Sequence, residues 1–165
     1  MKKKASAQDL IVIPAILLLS AFVFFIVKFS SSTIVTQIIA VPTIANNTRA
    51  VETFNNIETS TNRYDYLFFG LFLGLFLSVL ITGWYVGGDA LFAVIYFLVA
   101  CISVVGSMIM ANVWYDVANS SIFGVTLASM PITNHILTNL PVYVSVMAIM
   151  GLIAMFSRTF IGGSQ

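Results

Sequence analysis

Four apolar runs, each close to twenty residues, dominate this chain and leave few folds open to it. They are Leu10 to Phe29 ("LIVIPAILLLSAFVFFIVKF"), Leu67 to Val86 ("LFFGLFLGLFLSVLITGWYV"), Ala90 to Trp114 ("ALFAVIYFLVACISVVGSMIMANVW") and Pro141 to Ser157 ("PVYVSVMAIMGLIAMFS"). A helix needs about 20 residues, within a range of roughly 17–25, to cross a hydrocarbon layer about 30 Å thick. All four runs meet that length, the last at its short limit. In lipid the backbone must satisfy its own hydrogen bonds, so runs like these become helices and not open strands. The expected fold class is therefore all-α: an integral membrane four-helix bundle, one membrane domain over residues 1–165. Its spans fall at about 10–29, 67–86, 90–114 and 141–157.

Composition agrees. Of the 165 residues 59% are hydrophobic and only 8% are charged, against roughly 25% charged in a soluble domain. Water could not wet such a surface. The net charge of +1 gives no basic face, so no specific nucleic-acid binding is expected. Cys101 is the single cysteine and His135 the single histidine. An internal disulfide and a Cys/His metal cluster are both ruled out, and no cofactor is expected. Cys101 lies in an apolar run and reads as a small buried hydrophobe.

The N-terminus "MKKKASA" followed by an apolar stretch has the look of a signal peptide. The stretch is longer than the usual apolar region of about 7–15 residues, and the small triplet Ala5-Ser6-Ala7 precedes it. It reads as a retained signal-anchor, with Asp9 near its start and Pro14 bending its first turns. Three further spans argue against a pilin. By the excess of basic residues on the inner side, Lys2, Lys3 and Lys4 put the N-terminus in the cytoplasm. Four spans return the C-terminus to that side. Residues 30–66 and 115–140 then face outward, and Lys28 reaches the headgroups by snorkelling.

Both outward segments carry helical signals. In the first, Val51, Phe54 and Ile57 recur at helical spacing, with Glu52, Asn55 and Glu58 on other faces. That pattern fits a short amphipathic helix, or else an ordered loop. In the second, Pro131 and Pro141 bracket a short helix at about Ile132 to Asn139, with Ile132, Ile136 and Leu137 toward the bilayer or the bundle. Whether that helix is re-entrant or interfacial is open from the sequence. Asn46-Asn47-Thr48 and Asn119-Ser120-Ser121 match the glycosylation sequon, as chance allows in loops this rich in Asn, Ser and Thr.

Small residues return every fourth position in the second span: Gly70, Gly74, Ser78 and Thr82. The third carries Ala93, Ala100, Ser103, Ser107 and Ala111. Between helices in lipid, close backbone approach replaces the hydrophobic effect as the driving force, and small residues permit it. With only a short turn between the two spans, the expectation is a tight hairpin with these stripes face to face. Phe68, Phe72, Phe76 and Phe97 would then look to lipid or to other helices. Packing between copies is the second reading of the same stripes, and a pore or ligand lining the third. Trp84, Tyr85, Trp114 and Tyr115 sit at span ends and read as an interfacial aromatic belt.

Chemistry is thin. No Asp, Glu, Arg or His lies at mid-span, where proton relays and ion paths keep them. Tyr64-Asp65 and Gly87-Gly88-Asp89 superficially resemble intramembrane aspartyl protease motifs. Asp65 and Asp89, however, stand about 30 Å apart along one helix, and a shared proton needs near contact. No enzyme is expected. Arg63, Asp65, Asp116 and His135 form an outer rim that could hold an ion pair or a cation, and solvation is the simpler reading.

The Lys2–Lys4 tip, the few residues outside lipid and "ITNHILTNLPVYV" before the last span resemble, in style, the small polytopic membrane proteins of bacteriophages and other viruses with an internal membrane, and also holins. The resemblance implies a structural protein that lines or anchors a lipid layer. It would pack with copies of itself or other membrane subunits, with the basic tip touching capsid or genome. A holin-like pore-former is the main alternative, and an accessory subunit of a larger membrane complex is the third.

Overall fold

The computed structural model describes residues 5–86 and 90–162. Lys2, Lys3 and Lys4 lie outside them, as does the Gly87–Asp89 turn. The described residues form helices joined by short turns, with no strand among them, in the order α1 (Ala5–Ile39), α2 (Pro42–Ala45), α3 (Thr48–Thr61), α4 (Tyr64–Val86), α5 (Ala90–Ala118), α6 (Gly124–Ala128), α7 (Pro131–Thr138) and α8 (Leu140–Gly162). Four helical stretches, carried by α1, α4, α5 and α8, are long and apolar enough to cross a membrane. This is the all-α bundle that the runs of hydropathy require.

The four long helices stand at the corners of a square. α1 packs on α4 and on α5, and α8 packs on the same two from the other side. α4 and α5 therefore occupy opposite corners, despite the short connection between them. Among the described residues the expected face-to-face hairpin does not form. A short turn fixes only that two helix ends lie near each other. It does not fix which neighbours fill the rest of their length.

The inward lines follow helical spacing. α1 contributes Leu10, Ile13, Leu17, Ala21 and Phe25, and α8 contributes Leu140, Val144, Met147, Ala148 and Met155, all buried. α5 turns Tyr96, Ala100, Ser103, Ser107, Ala111 and Trp114 inward. Its expected small stripe is thus packed, but against α1 and α8. The hydroxyls of Ser103 and Ser107 donate to the carbonyls of Val99 and Val104 in their own helix, at 2.9 and 2.7 Å. That relieves each of a partner elsewhere in a dry interior.

α4 faces the other way round from expectation. Phe68 and Phe72 are buried, while Gly70, Gly74 and Ser78 are exposed and Thr82 is half-buried. A Cβ placed on Gly70 or Gly74 would meet nothing within 4 Å. The close helix approach lies further down α4. A Cβ on Gly83 would come within 2.9 Å of the Gly151 carbonyl oxygen on α8. One on Gly151 would strike the Tyr96 hydroxyl and come within 3.1 Å of Val79. Gly83 and Gly151 are where α4, α5 and α8 meet, and bulk is given up there for contact.

α1 overruns its expected end at Phe29 by ten residues, about 15 Å of helix at 1.5 Å per residue. Thr33 and Thr36 hydroxyls donate back to the carbonyls of Phe29 and Ser32, each at 2.8 Å. α3 packs on α1, and Val35 within the extension is buried. Asn47 caps α3 by accepting from the Ala50 amide at 3.3 Å, which supplies one of its orphan N–H groups with a partner. The expected amphipathic helix exists, but its inner face is rotated: Val51, Phe54 and Glu58 are half-buried and Thr61 is buried, whereas Ile57 is exposed.

Candidate functional site

At the end of the bundle where α4 begins and α5 ends, α7 lies across the top and touches α1, α4, α5 and α8. Leu127 and Met130 before and at its start, and Ile136 and Leu137 within it, point down into the core. The expected short helix is present at Pro131–Thr138, shifted by one residue at each end. Pro131 starts it without loss, because the first N–H groups of a helix have no partner inside it.

Those groups are met from another helix. Met130 precedes α7 without a side-chain cap. The Asp65 carboxylate of α4 takes its place: Oδ2 accepts from the Ile132 amide at 3.0 Å, and Oδ1 accepts from the Thr133 amide and hydroxyl, each at 2.7 Å. Asp65 is only 4% exposed and Thr133 is fully buried. A carboxylate at a helix N-terminus is favoured by the dipole and by charge-assisted bonds. Burial raises the worth of both.

Lys28 of α1 reaches the same end of α7. It too is 4% exposed, and its Nζ donates to the Ser129 carbonyl at 2.9 Å, just ahead of α7. Asp65 and Glu58 are the acidic groups whose charge acts on it. From α5, the buried Trp114 donates its indole Nε1 to Asn134 Oδ1 at 3.0 Å. Edge-on rings of Phe22 and Phe25 pack against that indole at 5.5 and 6.2 Å between centroids. Three long helices thus each send one buried polar side chain into the same six residues, 129–134.

This redraws the expected rim. Arg63, Asp116 and His135 are exposed, and His135 lies edge-on to Tyr143 at 6.2 Å. Asp65 does not share their solvent; it is a buried strut. Lys28 does not snorkel; its Nζ is taken up inside by the Ser129 carbonyl. Trp114 leaves the expected aromatic belt, while Trp84, Tyr85 and Tyr115 are exposed at their helix ends. The inward Trp114 has its N–H satisfied, which is what lets an indole be buried. Sequence reasoning missed Thr133, Asn134 and the Ser129 carbonyl. One signal was present: Lys28 is the only charged residue from Leu10 to Ile39, and a charge within an apolar run implies a buried partner.

The cluster is cohesive in its chemistry. Among the described residues Asp65 accepts from three donors, and it is buried. Among the described residues no group of three or more His, Cys, Asp or Glu is placed to hold a metal. Comparison with family models, curated proteins and solved structures finds no match. The class the fold defines is a helical bundle with four helices fit to cross a membrane, bolted at one end by a buried polar knot.

Proposed function

We propose that this chain is a structural, assembly-type integral membrane protein that packs laterally with copies of itself or with other subunits in a lipid layer. The observation that carries the reading is the outward face of α4. Gly70, Gly74 and Ser78 form an uncovered groove there, bordered by the exposed Leu73, Leu77 and Ile81. Lipid gains nothing from such a groove, whereas a second helix gains close backbone contact. A fitting counter-surface exists at similar depth. Between α5 and α8 an open apolar hollow of about 350 Å³ includes Ala100, Ser145, Ala148 and Leu152 in its lining. Phe72 meets Tyr143 and Val79 meets Gly151, so the part of α4 that carries Gly74 and Ser78 lies level with Ser145 and Ala148 of α8.

In this reading both termini face the cytoplasm or virion interior, where Lys2–Lys4 contact capsid or genome. The rival reading is a holin-like pore. It loses support from the filled interior, where Leu17, Phe68, Tyr96 and Trp114 occupy the axis with almost no exposure, so any pore would have to open between copies. Energy transfer between donor- and acceptor-labelled copies in vesicles tests the proposal. Transfer above the random-mixing level, lost in Gly74→Leu, is expected. Random-level transfer in the unmodified protein would refute it. Release of a trapped small dye by the unmodified protein would favour the pore.

A further inference from the structure

We infer that α6 and α7 form a latched cover over one end of the bundle, held shut by Lys28 and Asp65 and able to lift as one piece. The apolar underside alone would close the end. Leu127, Met130, Ile136 and Leu137 are each at most 3% exposed. Yet the chain adds a lysine and an aspartate, whose desolvation makes buried ions no more stabilising than apolar residues of the same size. What ionic and directional bonds provide in exchange is abruptness: when one partner is neutralised, several bonds go together. Here Lys28 holds the Ser129 carbonyl and Asp65 holds two amides and a hydroxyl three and four residues later. Both bolts therefore close on one short turn.

The segment has joints at both ends. Between α5 and α6, residues 119–123 are non-helical. Between α7 and α8, Asn139 breaks the helix at φ −103° and ψ 21°, and Pro141 has no N–H with which to carry the ladder across. Val125 on α6 is 84% exposed, and Ile122 in the joint before it 67%, so the outer side here is not packed into the protein, while Phe123 between them rests edge-on against Phe25 and Phe29 of α1 at 5.1 and 5.2 Å. Lifting the cover would bare Met130, Leu137 and the indole of Trp114 while leaving the packing of α1, α4, α5 and α8 below untouched.

The test uses full-length protein in vesicles, with Cys101→Ala to remove the native thiol and one cysteine introduced at a time. The probe is a membrane-impermeant thiol reagent. Leu137→Cys, under the cover, should react at least tenfold more slowly than His135→Cys on its upper side. Adding Asp65→Asn or Lys28→Met should speed Leu137→Cys at least tenfold and leave Met147→Cys, deeper in the bundle, unchanged. Hydrogen exchange of residues 129–139 in the cysteine-free protein should accelerate in the same two variants, which covers the case of a poorly folding Leu137→Cys. No acceleration in either measurement would mean that apolar contacts alone keep the cover shut. Equal acceleration at Met147→Cys would make Asp65 and Lys28 general struts of the fold. Either result overturns the latch.

Discussion

Two glycines nine residues apart on α4 should respond oppositely to the same methyl group. At Gly83 the added Cβ would lie 2.9 Å from the Gly151 carbonyl oxygen and 3.5 Å from the Ala154 Cβ. The oxygen belongs to backbone and cannot swing aside, so α8 must retreat by several tenths of an ångström. That retreat loosens the site where Val79, Tyr96 and Gly151 meet. Overpacking of this kind costs about 1–3 kcal/mol. At Gly74 the same Cβ meets nothing within 4 Å. Both substitutions gain the helix preference of alanine over glycine, roughly 0.8–1 kcal/mol. That gain cancels in the difference between them, which isolates the contact. Gly83→Ala should therefore be less stable than Gly74→Ala by about 1–3 kcal/mol. Equilibrium unfolding in mixed micelles at no more than one chain per micelle, where packing between copies plays no part, reads this directly by tryptophan fluorescence. Equal stability of the two variants, or Gly74→Ala as the weaker, would mean that α4 is turned the other way and the square arrangement is wrong.

Four further outcomes follow from the same packing. Tyr96→Phe should leave stability unchanged or raise it by about 1 kcal/mol, because the buried hydroxyl has no hydrogen-bond partner among the described residues and an unmet polar group is costly. Combined with Gly151→Ala it should recover part of that variant's loss, since the hydroxyl is the atom nearest the added Cβ; additive losses in a double-mutant cycle would contradict the contact. Thr133→Val should cost about 1–2 kcal/mol in micelle unfolding through loss of the hydroxyl bond to Asp65, with α7 amides exchanging faster. Trp114→Phe should remove the component of fluorescence shielded from aqueous quenchers and keep that of Trp84; loss of the quencher-accessible component would place Trp114 at the surface.

How much of this was legible depended on the physics behind each signal. α3 and α7 sit outside the longest apolar runs and could be read from periodicity and proline, because one side of each helix meets water or a polar neighbour. The long helices gave no such signal. Leu19, Val94, Ile102 and Ile109 are more than half exposed, yet they are as apolar as the buried Leu17 or Val144. With both faces greasy, the small-residue stripes were the visible periodicity, and they point opposite ways: that of α5 is buried, whereas that of α4 marks the outside. The polar knot was half legible. Lys28 announces a partner by its position, but Asp65 lies 37 residues away and Thr133 a further 68, a convergence that only packing creates.

The sequence by itself determined that the chain is helical and how many helices can cross a lipid layer. Lipid offers a bare amide nothing, so length multiplied by rise decides the matter locally. The tertiary structure alone decided which helices are neighbours, which face of each turns inward, and that Lys28, Asp65 and Trp114 meet at one turn. When the solvent is as apolar as the core, hydrophobicity no longer separates inside from outside. The choice passes to shape and to a few buried hydrogen bonds between residues far apart in the chain.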